Sequence, residues 1–415
     1  MHIWKILFLF VIVGNFGCSS VNSTIISREL IPSPADNSTK ITVLLPISGR
    51  YAEQGKAVRD GFLAAYYIDP QDYACEINFV DSNNQNITEL YQTAVANGSK
   101  LIIGPLLKNE VSELTTIPLT IPVFALNSTE DATTKYDNLY QFGLIPQDES
   151  QQLAARVLQD EINSCLVIAP KNSNFDKYIE AFAENYTQKG GKISAILRYT
   201  KDQRTLPRQI CTFLSDSEDN LCKYSTRPKK SETANKTELP AEEQNTPEFT
   251  APPLRQDFNG IIIFASPAEA RQLIPLLKFN FAGNLPIYAS STVFDPTKNQ
   301  LFNQDLDGIK FGTLPWLIKN HKWENSLLKQ LQNQFTSVTS KNSSQIQQLY
   351  ALGIDIYLIF THLNELSSRL PLEGATGLIN LDQKQSLHHE LIWMQMKHGK
   401  TQPLTKSIDA SLTTR

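Results

Sequence analysis

The chain has 415 residues, of which 38 are Lys or Arg and 42 are Asp or Glu, so its formal net charge is −4. This length is sufficient for two or three domains of ordinary size, each able to bury its own core. The small negative charge provides no strong positive field, which argues against nucleic acid as a partner.

The first seventeen residues have the pattern of an export signal. Lys5 precedes the apolar run Ile6–Val13, which is too short for a membrane-spanning helix of about 20 residues. Gly17 and Cys18 stand where cleavage would fall. A small residue directly before a cysteine is typical of lipoproteins, so the sequence predicts a signal peptide at 1–17 and lipid modification of Cys18. An ordinary cleaved signal with an incidental cysteine is the alternative.

Residues 18–39 are polar and turn-rich, which predicts a tether between the anchor and a folded part that begins at residue 40. From there, short apolar strands alternate with amphipathic helical patterns. The predicted strands are Ile41–Leu45, Cys75–Asp81, Leu101–Ile103 and Pro122–Ala125, and the predicted helices are Ala57–Tyr67 and Thr88–Ala96. This alternation is typical of parallel strands with crossover helices, and it predicts a first α/β lobe at about 40–142.

The same alternation returns at residue 143 and predicts a second α/β lobe up to about residue 289. Its predicted elements are Glu149–Leu158, Cys165–Ala169, Phe175–Gln188, Ile193–Tyr199, Leu206–Leu214, Gly260–Phe264, Pro267–Lys278 and Leu285–Ala289. Two further amphipathic helices, Trp323–Phe335 and Gln345–Leu366, are predicted beyond this lobe.

Residues 223–257 interrupt the second lobe. They contain five prolines, mixed Lys and Glu charge and almost no aliphatic side chains. Such a segment cannot bury enough surface to offset the entropy lost on ordering, so the composition predicts a disordered insertion. Its role is left open between a passive spacer and a docking element.

Four cysteines besides Cys18 are present. Cys75 and Cys165 belong to apolar strand patterns and are predicted to be small buried side chains. Cys211 and Cys222 flank a short polar stretch and could close it with a disulfide in an oxidising compartment, although the sequence leaves the connectivity open. None of the cysteines has the spacing of zinc ligands.

The sequence contains no convincing catalytic or metal-binding pattern. Ser326-Leu-Leu-Lys329 spells S-x-x-K without the companion motifs of penicillin-binding active sites. Gly49 to Lys56 has the wrong spacing for a phosphate-binding loop, and Ala57 replaces its Ser or Thr. His388 and His389 are neighbours on a predicted strand, so they should point to opposite faces and chelate poorly. We expect no catalytic residues, no metal and no cofactor.

Loops at the carboxyl ends of the predicted strands form a candidate binding cleft, because these ends meet at one edge of a parallel sheet. The candidate residues are Ser48, Tyr51, Pro105, Leu106 and Asn127 from the first lobe and Asn172 and Phe175 from the second. Bulky Leu106 crowds this edge of the predicted cleft, which argues against an amino acid as its ligand. The loops could instead pack only against one another in a closed cleft.

Several segments spread over residues 41–404 carry a family resemblance. They are Leu44-Leu-Pro-Ile-Ser-Gly49, Asp60-Gly-Phe-Leu-Ala-Ala-Tyr66, Ile103-Gly-Pro-Leu106, Phe124-Ala-Leu-Asn127, Phe142-Gly-Leu144, Gly308-Ile-Lys-Phe-Gly-Thr-Leu-Pro-Trp316, Tyr350-Ala-Leu-Gly-Ile-Asp355, Gly374-Ala-Thr-Gly-Leu378 and Ile392-Trp-Met-Gln395. This set resembles the lipoprotein family, of LppC type, that activates class A penicillin-binding proteins. Long members also carry an N-terminal helical-repeat domain, which we do not expect here.

The resemblance implies an α/β fold of the type I periplasmic-binding-protein kind, with two doubly wound Rossmann-like lobes joined by a multi-strand hinge. The chain of that fold crosses between its lobes three times, so residues 290–415 are expected to complete both lobes. The resemblance also implies an outer-membrane lipoprotein that faces the periplasm of a Gram-negative cell and stimulates a peptidoglycan synthase without catalysing a reaction.

Two other functions are weighed against this one. The chain could be a periplasmic receptor that closes on a small polar ligand, such as an amino acid, by hinge motion between its lobes. An enzyme ranks third, because the sequence offers no nucleophile, base or metal cluster.

Overall fold

The computed structural model describes residues 39–404 except 70–74, 130–133, 135, 172–173, 203, 216–252, 281 and 340. The predicted signal peptide and Cys18 lie outside these residues. Two parallel-rich sheets with associated helices form the molecule, which confirms the predicted α/β class.

The strands in chain order are β1 (Lys40–Leu45), β2 (Glu76–Asp81), β3 (Leu101–Ile103), β4 (Val123–Ala125), β5 (Leu139–Phe142), β6 (Ser164–Pro170), β7 (Lys192–Tyr199), β8 (Gly260–Ile263), β9 (Ile287–Ala289), β10 (Lys310–Thr313), β11 (Leu372–Gly374), β12 (Gly377–Leu381), β13 (Ser386–Glu390), β14 (Ile392–Lys397) and β15 (Lys400–Pro403). The helices are α1 (Ala52–Ile68), α2 (Ile87–Ala96), α3 (Lys108–Leu114), α4 (Pro146–Gln159), α5 (Asp176–Gln188), α6 (Leu206–Leu214), α7 (Pro267–Phe279), α8 (Gln300–Asn303), α9 (Ser326–Thr339), α10 (Ser344–Thr361) and α11 (Leu363–Ser367).

Each lobe is built on one sheet. The first sheet has the strand order β11-β12-β13-β5-β4-β3-β1-β2, in which β1 to β5 are parallel and β11 to β13 form an antiparallel meander at one end. The second sheet has the order β15-β14-β10-β9-β8-β6-β7, with β14 and β15 antiparallel at its end. The chain passes between the sheets after β5, after β10 and after β13, which makes three crossings.

Two glycines allow α1 and α10 to pack closely in the first lobe. A Cβ atom added to Gly61 would lie 2.0 Å from the Tyr350 carbonyl oxygen, and one added to Gly353 would lie 2.0 Å from the Val58 carbonyl oxygen. Any larger side chain would therefore push the two helix backbones apart. The segments Asp60–Tyr66 and Tyr350–Asp355 thus owe part of their sequence to this helix crossing.

Helix α9 begins three residues later than predicted. The Asn325 side chain accepts hydrogen bonds from the N–H groups of Leu327 (2.9 Å) and Leu328 (3.3 Å), and so it caps the helix at Ser326. Trp323 consequently belongs to the preceding loop. The predicted helix over 345–366 is also two helices, α10 and α11, and the sequence analysis missed α3 and β5 altogether.

The predicted insertion 223–257 extends too far at its C-terminal end. Leu254 forms an isolated antiparallel bridge with Ser215. The Asp257 carbonyl accepts hydrogen bonds from the hydroxyls of Ser164 (2.7 Å) and Ser194 (2.5 Å). Residues 253–257 are therefore ordered parts of the second lobe. Residues 223–252 lie outside the described residues, and the interpretation of them stays a prediction.

The cysteines divide into two groups. Cys165 is buried in β6, as predicted, and Cys75 is half-buried; both are free thiols. Cys211 in α6 is disulfide-bonded. Cys222 lies outside the described residues, so its pairing with Cys211 stays a prediction.

Candidate functional site

The β1 end of the predicted cleft is held together by one carboxylate. Asp81 Oδ1 accepts hydrogen bonds from the backbone N–H groups of Ile47 (2.8 Å), Ser48 (3.3 Å) and Asn83 (3.1 Å). The Asn83 side-chain amide donates to Ser48 Oγ at 3.2 Å. Burial opposes ionisation of Asp81, but these donors lower its pKa below the usual value. Ser48 is therefore part of a hydrogen-bonded turn, and both Ser48 and Tyr51 on the same loop are exposed.

The loops after β3 and β4 are bonded to each other. Pro105 follows a cis peptide bond from Gly104, and the next side chain, Leu106, is buried. The Asn127 amide donates to the Leu106 carbonyl at 3.1 Å, and Asn127 Oδ1 accepts the N–H of Ser128 at 3.0 Å. The polar atoms proposed to hold a ligand thus join two loops of the protein itself.

The candidates from the second lobe are only partly placed. Phe175 precedes α5, is half-buried, and its ring contacts that of Tyr178 with 5.9 Å between centroids. Asn172 lies outside the described residues. The structure therefore gathers the first-lobe candidates into two small networks, one around Asp81 and one between Leu106 and Asn127. The assignment of all seven residues to a ligand cleft stays a prediction.

A concave surface with a cavity volume of about 1100 Å³ lies beside the second and third crossings. We call it the hinge groove. Its walls come from α4, from residues 315–324, 373–378 and 390–394, and from residues 401–404. Both lobes contribute, because α4, β14 and β15 belong to the second and β11 to β13 to the first. The sequence analysis did not identify this surface.

Two tryptophans line the hinge groove, and each is fixed by a neighbour. Trp323 Nε1 donates to Gln332 Oε1 at 2.9 Å, and the Gln332 amide donates to the Ile318 carbonyl at 3.1 Å. The Arg156 guanidinium lies over the Trp393 ring, 5.7 Å from its centroid, in a cation–π arrangement. Trp323 stands in a polar stretch of the sequence, whereas Trp393 lies in the apolar run Leu391–Met394, so no shared sequence pattern indicated this surface.

The charge of Arg156 is compensated beneath the groove. Arg156 Nε lies 3.1 Å from Asp160 Oδ1, and Lys310 Nζ lies 3.1 Å from Asp160 Oδ2. The Tyr288 hydroxyl also donates to the Asp160 carboxylate. Burial alone would raise the pKa of Asp160, but Tyr288, Lys310 and Arg156 together lower it. Arg156 is therefore held in place by a network that keeps Asp160 ionised.

Helix α4 is bonded to the third crossing through a glutamine. The Gln152 side-chain amide donates to the His389 carbonyl at 2.8 Å, and Gln152 Oε1 accepts the N–H of Leu391 at 2.8 Å. One side chain of the second lobe thus satisfies both a donor and an acceptor at the point where the chain leaves the first lobe.

The two adjacent histidines lie on opposite faces of β13, which confirms the prediction. His388 is 2.9 Å from Asp148 of α4 and 3.4 Å from Asp382, and mainly the bond to Asp148 raises its pKa to about 9. His389 is buried, and burial lowers its pKa to about 4. The first is a charged contact between the lobes and the second is a neutral core residue.

Three of the resemblance segments meet at the wall of the hinge groove. The buried Asp355 carboxylate accepts hydrogen bonds from the N–H of Ala375 and from the N–H (2.7 Å) and hydroxyl (2.5 Å) of Thr376. The N–H of Trp316 donates to the Ala375 carbonyl at 3.1 Å. Burial raises the pKa of Asp355 to about 7 against these donors. Asp355 thus fixes the turn between β11 and β12.

Within the described residues, no group of three or more His, Cys, Asp or Glu side chains is placed to hold a metal ion. Over the same part of the chain, the helices are all too short or too polar to cross a membrane. What the geometry offers is a preformed concave surface with aromatic and charged walls.

Two doubly wound lobes joined by three crossings define a protein of the type I periplasmic-binding-protein fold. Full-length LpoA from Haemophilus influenzae is similar, with a TM-score of 0.67 and 23% identity over 90% of this chain and 60% of that one. A putative branched-chain amino acid ABC transporter from Chromobacterium violaceum is also similar, with a TM-score of 0.60 and 21% identity over 86% and 100% of the chains. These likenesses show the fold.

The family model described as LppC putative lipoprotein matches residues 29–399, and the chain belongs to that family. Penicillin-binding protein activator LpoA of Pectobacterium parmentieri is 26% identical over 337 residues, which cover 79% of this chain and 48% of the relative. The activator of the same name from Photobacterium profundum is 27% identical over 362 residues, covering 85% and 55%. The chain thus spans about half the length of these curated relatives. The family predicted from the sequence is confirmed.

Proposed function

We propose that this protein is a non-catalytic lipoprotein that binds a class A penicillin-binding protein and stimulates its synthesis of peptidoglycan. Membership of the LppC family supports the proposal, since its curated relatives are named penicillin-binding protein activators. Physically, binding stimulates an enzyme when the activator makes better contacts with the enzyme's active conformation than with its inactive one.

The observation that favours an activator over a solute receptor is the bonding at the cleft edge. A receptor needs a few convergent polar groups in a closable pocket. Here Asn127 is bonded to the Leu106 carbonyl, the Leu106 side chain is buried, and Ser48 belongs to the Asp81 turn. The hinge groove, by contrast, is open.

The test compares stimulation with ligand binding. The class A penicillin-binding protein of the same organism would be purified, and its glycan polymerisation measured with and without this protein. We expect stimulation by the wild type and by the triple variant Ser48→Ala, Tyr51→Ala, Asn127→Ala. We also expect none of the common amino acids to raise the melting temperature, whereas a ligand at 100 times its Kd would add about 2.7 kcal/mol to the free energy of unfolding.

The receptor hypothesis predicts the opposite results for ligand binding and for stimulation. A clear melting shift with one metabolite, abolished by the triple variant, together with no stimulation of the synthase, would replace the activator by a receptor.

We also propose that Cys18 carries lipid and holds the protein at the outer membrane, facing the periplasm. The family description as a lipoprotein and the Gly17-Cys18 pair support the anchor, and Ser19 after the cysteine favours outer-membrane sorting. Cys18→Ser should move the protein from the outer-membrane fraction to a soluble or uncleaved form. A wild-type mass without acyl chains, with unchanged fractionation of the variant, would refute the anchor.

A further inference from the structure

We infer that the hinge groove is the surface by which this protein binds its partner, and that it receives apolar or aromatic side chains from a polypeptide segment of the synthase. The inference rests on the proposed function and assigns it to one place in the fold. Four features of the groove carry it: its composition, its charge, its rigidity and the edge of β15.

The composition of the groove is that of a protein–protein contact centre. Trp323 and Trp393 line it and are half-buried, and Trp is enriched at interfaces and carries much of their binding energy. Arg156 and Met394 also belong to the lining, but their side chains are buried. Leu378 adds an apolar side chain that is 39% exposed at the same surface. Aromatic and aliphatic walls of this kind accept apolar side chains of a partner.

Charges of both signs surround these apolar walls. Lys319 and Lys322 lie on one wall, while Glu324 and Glu390 are exposed beside them. In the interior, Arg156 is paired with Asp160. A polyanion such as nucleic acid or an anionic lipid surface would meet the acidic groups unfavourably. A polypeptide surface that carries both positive and negative side chains is complementary to the charged residues around the groove.

The walls of the groove are individually held in place by contacts within the protein. Trp323 is fixed by Gln332, Trp393 lies under Arg156, and the β11–β12 turn is held by the Asp355 carboxylate. A partner therefore binds without the entropy cost of ordering these walls, which is the main gain from preorganisation.

Strand β15 disfavours an added strand at this end of the second sheet. Leu404 donates its N–H to the Trp393 carbonyl at 2.8 Å, so the preceding position, Pro403, faces away from β14. Proline has no N–H to donate on that side, and it disfavours extension of the sheet there. This favours a partner that enters with its side chains.

The experiment uses two matched substitutions of exposed apolar strand residues. Leu378→Lys places a charge in the groove, between Glu373 and Glu390 of the neighbouring strands. Ile196→Lys changes a residue that is 44% exposed on β7, at the opposite end of the second sheet from β15. Binding of each full-length variant to the detergent-solubilised synthase would be measured by titration, with melting temperatures as the folding control.

We expect Leu378→Lys to weaken binding and raise the concentration for half-maximal stimulation by about tenfold or more, with an unchanged melting temperature. Ile196→Lys should behave as the wild type. A photo-crosslinking amino acid at position 378 should capture a peptide of the synthase, whereas the same group at position 196 should not. The crosslink stands as evidence even if the lysine variant folds poorly.

Two results would overturn the inference. If Leu378→Lys binds the synthase with wild-type affinity and position 378 gives no crosslink, the groove is not the binding surface. Stimulation of the synthase by the wild type would still support the proposed function in that case. Displacement of the synthase by chitohexaose, lost in Leu378→Lys, would assign the groove to a glycan instead. Absence of any binding by the wild type would refute the proposed function, and this inference with it.

Discussion

The cleft edge and the hinge groove are each organised by an aspartate that accepts three hydrogen bonds. Asp81 receives three backbone N–H groups at the cleft edge, is half-buried, and closes a turn. Asp355 receives two backbone N–H groups and a hydroxyl, is fully buried, and fixes one wall of the open groove. The same kind of bonding therefore closes a turn at the cleft edge and shapes a wall of the hinge groove. Polar residues at strand ends do not by themselves identify a binding site.

The largest expected difference between the two regions is in stability. Asp355→Ala leaves three buried donors without an acceptor, and we expect it to lower the free energy of unfolding by about 3 kcal/mol. Asp81→Ala should cost clearly less, because water reaches the donors at the half-exposed turn. Urea unfolding of the two variants measures the difference. Equal losses would mean that the cleft edge is as rigid as the groove wall.

The pH dependence of the free energy of unfolding should distinguish the buried His389 from His388, which contacts the other lobe. The pKa of buried His389 is about 4 in the folded protein against 6.5 ordinarily, so the unfolded chain takes up a proton first as the pH falls. We expect this residue to lower the free energy of unfolding by about 2 kcal/mol at pH 5 relative to pH 7. His389→Phe keeps an aromatic ring against Phe142 and removes the titrating group. We therefore expect the free energy of unfolding of this variant to fall less between pH 7 and pH 5.

His388 should act in the opposite direction and more weakly. Its pKa is raised to about 9, so its contribution is complete below pH 6.5 and is lost as the pH rises through 9. The side chain is 44% exposed, and solvent screening reduces the effect. His388→Gln should flatten only the alkaline side of the melting-temperature profile. A change on the acid side would contradict the assignment of the two histidines.

The smallest effect is expected from replacing residues 223–252 by a short Gly-Ser linker, which keeps Cys222 as the predicted disulfide partner of Cys211. The ends of this segment are already joined, since Ser215 bridges Leu254 and the Arg255 N–H donates to the Leu214 carbonyl at 2.9 Å. Loop length changes closure entropy only slowly, so the melting temperature should move by less than about 2 °C. Loss of cooperative unfolding in this variant would instead show that the segment is needed for the folding of the protein.

Local patterns predicted most of the parallel strands, because each of these carries its own apolar run, but they missed β5 and β10. The predicted Ile41–Leu45 differs from β1 by one residue, and Leu206–Leu214 matches α6 at both ends. The first residue of α9 was wrong since its position depends on one side chain, Asn325, rather than on periodicity. The antiparallel ends of the sheets were not predicted, because strands such as Ser386–Glu390 and Lys400–Pro403 lack a continuous apolar run.

The hinge groove could not be predicted in the same way. Its walls come from α4 and from residues between 315 and 404, which approach one another only when both lobes are folded. The bonding among the cleft candidates could not be predicted for a related reason. Nothing near Asn127 in the sequence reveals that its amide binds the Leu106 carbonyl, 21 residues away.

Because the groove takes its walls from both lobes, its width depends on the angle between them, which the Gln152 contacts with the third crossing help to set. A partner that prefers one width must then change that angle, and a molecule that closes the cleft must change the groove. Thermodynamics requires these two influences to be equal: each ligand alters the affinity for the other by the same factor. The proposed binding of the synthase would in this way respond to the angle between the lobes, without any residue that contacts both ligands.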